Sequence, residues 1–418
     1  MHESAPHVLE QVGAPLEEFT SDTAEHTTVP SELAPAPADP SPDFHHLRPF
    51  PHPLRHPLKA AYWVWELGFG LVSLVLFLAA LAAIPIVNFL ALGYLLDAEG
   101  RVARTGKLRN AFPLLPLAPK LGSIAAGLGF WWWAVRFVGD AASDARLIAP
   151  ASPVAAAWQI GLVAFSAFVS VHLTLAIARG GRLSLFFWPT PLNGLWLWKR
   201  WRQGDYLRLA GNTVYEFIAA LGLRYHFWLG ARGFALAFAW LAVPTALFAS
   251  LRDTSKPGQV ILMLLGGLIL LVVLSWVPFL QARFAAENRS RAMFELRAIR
   301  ELYRHAPLVM FLSLVMLYAL SLPLYLFKIA ALPQDVYWLL TPIFIATIYP
   351  AKILIGWAYA RATQVQQRAW LVLRWSLSLL LIPLLGFYVF VLFFTPAIGA
   401  AGRAVLFQHH GILLPWPF

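Results

Sequence analysis

Cysteine is absent from the 418 residues, which excludes disulfides, thiolate catalysis and cysteine-ligated zinc or iron–sulfur centres. Charge is almost as scarce, with 13% charged residues against 59% apolar ones and a mean hydropathy of +0.64. An ordinary soluble domain is far more polar. The familiar signatures of chemistry are missing as well: the sequence holds no Gly-rich loop ending in Lys-Ser or Lys-Thr, no His-Glu-x-x-His pair and no Gly-x-Ser-x-Gly. Carboxylates are thin inside the apolar runs, and no two are placed to face each other. That argues against a metal-dependent lipid enzyme and against a proton-coupled transporter built on paired acids. No metal and no cofactor are expected.

What the sequence does have is long apolar runs. The one from Leu67 to Leu96 exceeds the roughly 20 residues that cross a bilayer, and it is followed by Arg101, Arg104, Lys107 and Arg109. Pro85 and Asn88 interrupt it, so it reads as a helix to about Ile84 and a turn into a short second segment through Gly93-Tyr94. Asp97 and Glu99 then read as a solvated helix end, or as a polar lip at the cytoplasmic surface. The fold class is all-α: a polytopic membrane helix bundle of about eight transmembrane helices, with spans near 62–84, 121–139, 153–178, 234–251, 259–281, 307–327, 336–360 and 375–395. Trp131-Trp132-Trp133 reads as an interfacial anchor, in keeping with 18 Trp and 12 Tyr in the chain.

Two amphipathic helices are expected on the cytoplasmic surface. In the first, Val214, Phe217, Ile218, Leu221, Tyr225 and Trp228 follow helical periodicity. In the second, from Arg283 to His305, Met293, Leu296, Ile299 and Tyr303 share a stripe. Residues 183–198, which contain Pro189, Pro191 and Asn193, read as a segment lying on or dipping into the membrane. Ahead of the spans, residues 1–59 carry nine acidic residues, three basic ones and eleven prolines, a disordered acidic tail by composition and not a cleavable signal peptide. His45, His46, His52 and His56 belong to this proline-rich spacer. Residues 399–418 form a short tail with a last surface segment.

Charge sets the topology. The intervals 97–120, 179–232, 282–306 and 361–374 carry five, eight, six and three Lys or Arg, whereas 140–152, 252–257 and 328–335 carry one, two and one. Eight spans reproduce this alternation and place every basic interval in the cytoplasm. The net charge of +11 is explained by these loops, and nucleic acid is not an expected partner. The scheme leaves the N-terminal tail on the far side, although Arg48, Arg55 and Lys59 favour the cytoplasm. If the run at 60–96 enters and returns as a hairpin, the tail stays inside.

Helix, proline and basic exit recur at Pro85, Pro278 and Pro350, a pattern that membrane insertion alone also produces. The run Ile84-Pro85-Ile86-Val87-Asn88 through Gly93-Tyr94 to Arg101, Arg104, Lys107 and Arg109 resembles uncharacterised bacterial polytopic membrane-protein families in which a Gly-Tyr and a basic segment follow a first long apolar helix. The resemblance covers about thirty residues. It implies a bacterial inner membrane and transfers no catalytic residue.

Ionisable groups within apolar runs are the candidates for function, because burying a charge in hydrocarbon is costly. Here they are Glu66, Arg136, His172, Lys352 and Arg374. Glu66, Arg136 and Arg374 lie near helix ends, where snorkelling explains them. His172 reads as an interhelical hydrogen bond or a proton relay, and Lys352 as a snorkelling lysine or an anion site at the break made by Pro350. Candidate lipid-facing bases are Lys199, Arg200, Arg202, Arg283, Arg289, Arg297, Arg300 and Arg304. The leading expectation is a non-enzymatic membrane scaffold whose basic face engages anionic lipids or a membrane-protein partner. A transporter or channel, favoured by prolines at 85, 278, 323, 342, 350 and 383, is the second. The third is an interfacial lipid- or glycan-modifying enzyme starting from Asp97, Glu99, Asp205 and His226.

Overall fold

A computed structural model describes residues 51–187, 191–251, 255–329, 339–394 and 406–413. Thirteen α-helices and two 3₁₀ turns run through them, with no strand among the described residues. Eight helices are long and apolar enough to span a bilayer, which makes this a multi-pass membrane protein. Its outward surface agrees: Leu264, Leu268, Val272, Val372, Leu379 and Phe387 are all exposed, an arrangement stable against lipid and aggregation-prone in water.

Proline starts many of these helices, since its missing N–H is not needed in the first turn. Helix α1 (Pro57–Ala83) begins this way, as does α4 (Pro153–Ala178), whose Ser152 also accepts a cap hydrogen bond from Ala155 N. Helix α3 (Ala118–Ile148) is longer than the expected span because it continues through Asp140 and Asp144. The tryptophan triplet therefore lies in mid-helix and not at an end. Trp131 turns inward and donates to Phe186 O at 2.7 Å, whereas Trp132 and Trp133 stay exposed. Short helices α5 (Leu183–Phe187) and α6 (Pro191–Gln203) follow.

The first amphipathic stripe is cut in two. Gly222, at φ 58, separates α7 (Tyr206–Ala220) from α8 (Leu223–Phe248), so Val214 and Trp228 belong to different helices. The second stripe is divided as well. Helix α9 (Pro257–Glu287) runs on until Asn288 takes the left-handed conformation, a 3₁₀ turn follows, and α10 (Leu296–His305) completes the segment. Helices α11 (Pro307–Ile329), α12 (Leu340–Gln364) and α13 (Leu371–Phe394) end the bundle. Proline 278 leaves the Leu274 carbonyl without its helical donor, and Tyr318 Oη fills the vacancy at 2.5 Å.

At the centre stands α2 (Asn88–Thr105), which packs against α1, α8, α9 and α12. It runs parallel to α12, because Tyr94 meets Tyr349, Glu99 meets Lys352 and Gly106 lies beside Gln364. It runs antiparallel to α8, where Gly93 meets His226 and Phe89 meets Gly230. The Thr105 end of α2 thus shares a face with Arg361 and the link to α13. Only residues 84–87 join α1 to α2, through a reversal closed by Asn88 N to Ile84 O at 2.9 Å with Ile86 at φ 70. The run at 60–96 enters and returns, the second of its two sequence readings.

Candidate functional site

Two small-residue contacts bring α2 deep enough to bury its charges. Gly93 and Gly230 let α2 touch α8 backbone to backbone, and Gly356 seats α12 on the Glu99 carbonyl. On one face of α2, Tyr94, Asp97 and Arg101 follow at i, i+3 and i+7. Asp97 pairs with Arg101 at 2.8 Å, accepts from Tyr225 Oη at 3.3 Å and lies 3.7 Å from His226 Nε2. His226 gives its Nδ1 hydrogen to Leu221 O at 3.0 Å. Tyr349 Oη donates to Ala111 O at 2.6 Å, which leaves the Tyr94 hydroxyl to donate to Tyr349 at 2.9 Å.

Glu99 points the other way, into the bundle. Lys352 Nζ stands 3.3 Å from Glu99 Oε2 and donates to Gln281 Oε1 at 2.5 Å. Glu99 is 0% exposed and Lys352 1%. The Gln281 amide is oriented by its neighbours, since its Nε2 donates to Ile412 O at 3.0 Å. Apart from Lys352, no donor reaches either Glu99 oxygen among the described residues, so the ammonium is the whole of its compensation there.

Ile412 belongs to residues 406–413, which lie inside the bundle with His409, Ile412 and Leu413 fully buried. The expected surface segment is corrected here. Thr245 Oγ1 bonds His409 Nε2 at 2.7 Å, Tyr325 donates to Gln408 O, and the Tyr325 and Tyr388 hydroxyls are 2.8 Å apart. A continuous polar line therefore runs from Glu99 through Lys352 and Gln281 to the C-terminal segment. Thr245→Val is expected to cost about 1–3 kcal/mol, the penalty for stranding a buried polar partner. The unfolding midpoint in detergent is the measurement, and an unchanged midpoint would show that the His409 contact contributes nothing.

The other sequence candidates divide by environment. His172 donates from Nε2 to Phe186 O at 3.0 Å and faces the Asn193 amide at 3.4 Å; Asn193 in turn accepts from Arg179. Every polar atom of that ring is satisfied, and the interhelical reading fits the geometry. Arg136 is exposed and lies over Trp132 at 5.7 Å, while Glu66 and Arg374 are half-buried. The snorkelling reading of Lys352 is overturned by its burial beside Glu99. So is the solvated helix end at Asp97 and Glu99, because α2 is enclosed on all sides. Asp205 pairs with Arg200 at 2.9 Å on α6 and does not join Asp97 and His226. No group of His, Asp and Glu among the described residues is arranged to hold a metal.

The basic face is partly neutralised. Arg283 pairs with Glu287 at 3.1 Å and Glu295 at 2.5 Å, and Arg289 pairs with Glu287. Glu301 holds Arg304 at 2.7 Å and Arg368 at 2.8 Å, and the hydrogen bond from Arg304, followed by that from Arg368, keeps its carboxyl below the usual range. Arg104 donates to the Ala285 and Ala286 carbonyls at 3.2 and 3.0 Å, which the end of α9 leaves without helical donors. Lys199 and Arg202 are exposed on α6. The sequence alone gives no site role to Gln281, Tyr94 or the C-terminal segment; the available signal is Gly93 and Gly100 seven residues apart on one helix, a mark of close packing that places their neighbours in the interior. Comparison of the chain with protein-family models, with curated proteins and with solved structures finds no match.

Proposed function

We propose that this multi-pass membrane protein moves a small ion or solute, with the Glu99–Lys352 pair as the charged centre of the path. One observation carries the reading: a carboxylate and an ammonium, both fully buried in a membrane bundle, with no donor to the carboxylate besides that ammonium among the described residues. Keeping charge there is expensive and serves no purpose in a bundle that only has to pack. A centre that exchanges its partner for a proton, an ion or a polar solute does need it. The polar line through Gln281 to residues 406–413 supplies the next contacts. In this reading the basic face is cytoplasmic by the positive-inside rule, the start of α1 lies on that side, and the resemblance of residues 84–109 favours a bacterial inner membrane. A scaffold with a basic lipid- or protein-binding face is the second reading, and exposed Arg297 and Arg300 on α10 favour it.

The absence of cysteine makes the test direct. Thr245→Cys and Gln281→Cys place single thiols at two levels of the polar line, and Arg289→Cys places one on the surface. A thiolate reacts only where water reaches it. With a membrane-impermeant maleimide, transport requires labelling of both interior thiols, more slowly than the surface one. Silence of both in vesicles of either orientation, with Arg289→Cys fully labelled and elution unchanged, means a dry bundle and rejects the path in favour of the scaffold.

A further inference from the structure

We propose that the groove between α8, α9 and α10 is a built site for one anionic phospholipid. The cavity holds about 410 Å³ and is lined by Trp240, Val272, Val273, Trp276, Val277 and Leu280, with Leu296, Arg297 and Arg300 closing one end. Val272 to Leu280 covers about 12 Å of helix at 1.5 Å per residue, close to the roughly 15 Å of one leaflet of hydrocarbon. The walls are fixed. Trp240 Nε1 donates to Met293 O at 3.1 Å, and Trp276 meets Tyr303 edge to face at 6.1 Å.

Charge decides the occupant. Arg297 and Arg300 stand at i and i+3 on α10, both exposed. Their neighbours Arg283, Arg289 and Arg304 are each paired with a carboxylate; among the described residues these two are not. An apolar slot gains nothing over bulk lipid from an acyl chain, because lipid tails are as apolar as the slot. Selection therefore has to come from the headgroup. Two guanidiniums at the mouth suit a phosphodiester, which they engage with forked N–H donors, and a net negative headgroup over a zwitterionic one.

The test is native mass spectrometry of the full chain released from nanodiscs containing equal phosphatidylglycerol and phosphatidylcholine. Wild type is expected to retain one phosphatidylglycerol preferentially. Arg297→Gln/Arg300→Gln should reduce that preference about thirtyfold, the equivalent of about 2 kcal/mol for two bases at about 1 kcal/mol each. Lys199→Gln/Arg202→Gln removes the same charge from α6 and should leave it unchanged. Val272→Trp fills the slot from an exposed position and should expel the lipid with both arginines in place. Equal retention of the two lipids by wild type, an equal loss in the α6 variant, or full retention in Val272→Trp would each overturn the proposal.

Discussion

Exchanging Lys352 for methionine is expected to destabilise the protein by about 3–5 kcal/mol, the range found when one partner of a buried ion pair is removed. Methionine approximates the volume of the lysine stem, so packing around α12 is largely kept and the loss is electrostatic. Glu99 then has no ammonium and no other donor among the described residues, and Gln281 loses the group that Oε1 accepts from. Glu99→Gln alone strands the ammonium instead, although Gln281 remains beside it, so a smaller loss is expected. The double variant Glu99→Gln/Lys352→Met removes both charges and should recover most of the stability, because a neutral interior of similar volume avoids the desolvation of two ions. Reversible unfolding in mixed detergent micelles gives the three values and hence the coupling, which should exceed about 1 kcal/mol for groups in contact. A cost under about 1 kcal/mol for Lys352→Met, with additivity in the double variant, would mean that the two groups are solvated and do not form the centre. The two proposed activities separate here too: a transport path fails in the double variant despite its recovered fold, whereas a scaffold works again.

The fold was legible where the sequence reports burial in lipid. Runs such as Pro153–Ala178 and Pro257–Glu287 are predominantly apolar over the length of a membrane span, and the alternation of basic intervals orders their ends. The centre was not legible, for a physical reason. Helix α2 carries Asp97, Glu99, Arg101 and Arg104 within eight residues, the composition of a helix leaving the membrane, and its burial comes chiefly from α8, α9 and α12, far away in the chain. Lys352 stands out in the sequence through Pro350, but its partner lies 253 positions earlier, from 352 less 99, a distance that periodicity cannot bridge. The Gln408-His409-His410-Gly411 segment reads as surface by polarity alone. Its place in the interior is held by hydrogen bonds of Thr245 with His409, of Tyr325 with the Gln408 carbonyl and of Gln281 with the neighbouring Ile412 carbonyl, while Gln408 Oε1 and His409 Nδ1 find no hydrogen-bond partner among the described residues.

Gly93→Ala is expected to be the most damaging small substitution in the chain. A Cβ at residue 93 falls 1.7 Å from the His226 carbonyl oxygen, and one at residue 230 falls 1.9 Å from the Phe89 oxygen. Both obstacles are backbone, so no side chain can rotate aside and the two helices have to separate. Overpacking of a rigid contact costs about 1–3 kcal/mol and more where backbone must shift; about 3 kcal/mol or above is expected here. Gly129→Ala is the control, since nothing lies within 4 Å of its added methyl and alanine is the better helix former by about 0.5–1 kcal/mol. Unfolding midpoints of the two variants in one detergent should move in opposite directions. Moving α2 away from α8 also pulls Asp97 off Tyr225 and His226, so Gly93→Ala and Asp97→Asn are expected to be less than additive, the second change removing contacts that the first has already loosened. Should Gly93→Ala match Gly129→Ala, the backbones do not meet at that crossing. The burial of Glu99 would then lose its structural cause, since only an α2 seated this deeply keeps water from the Lys352 pair.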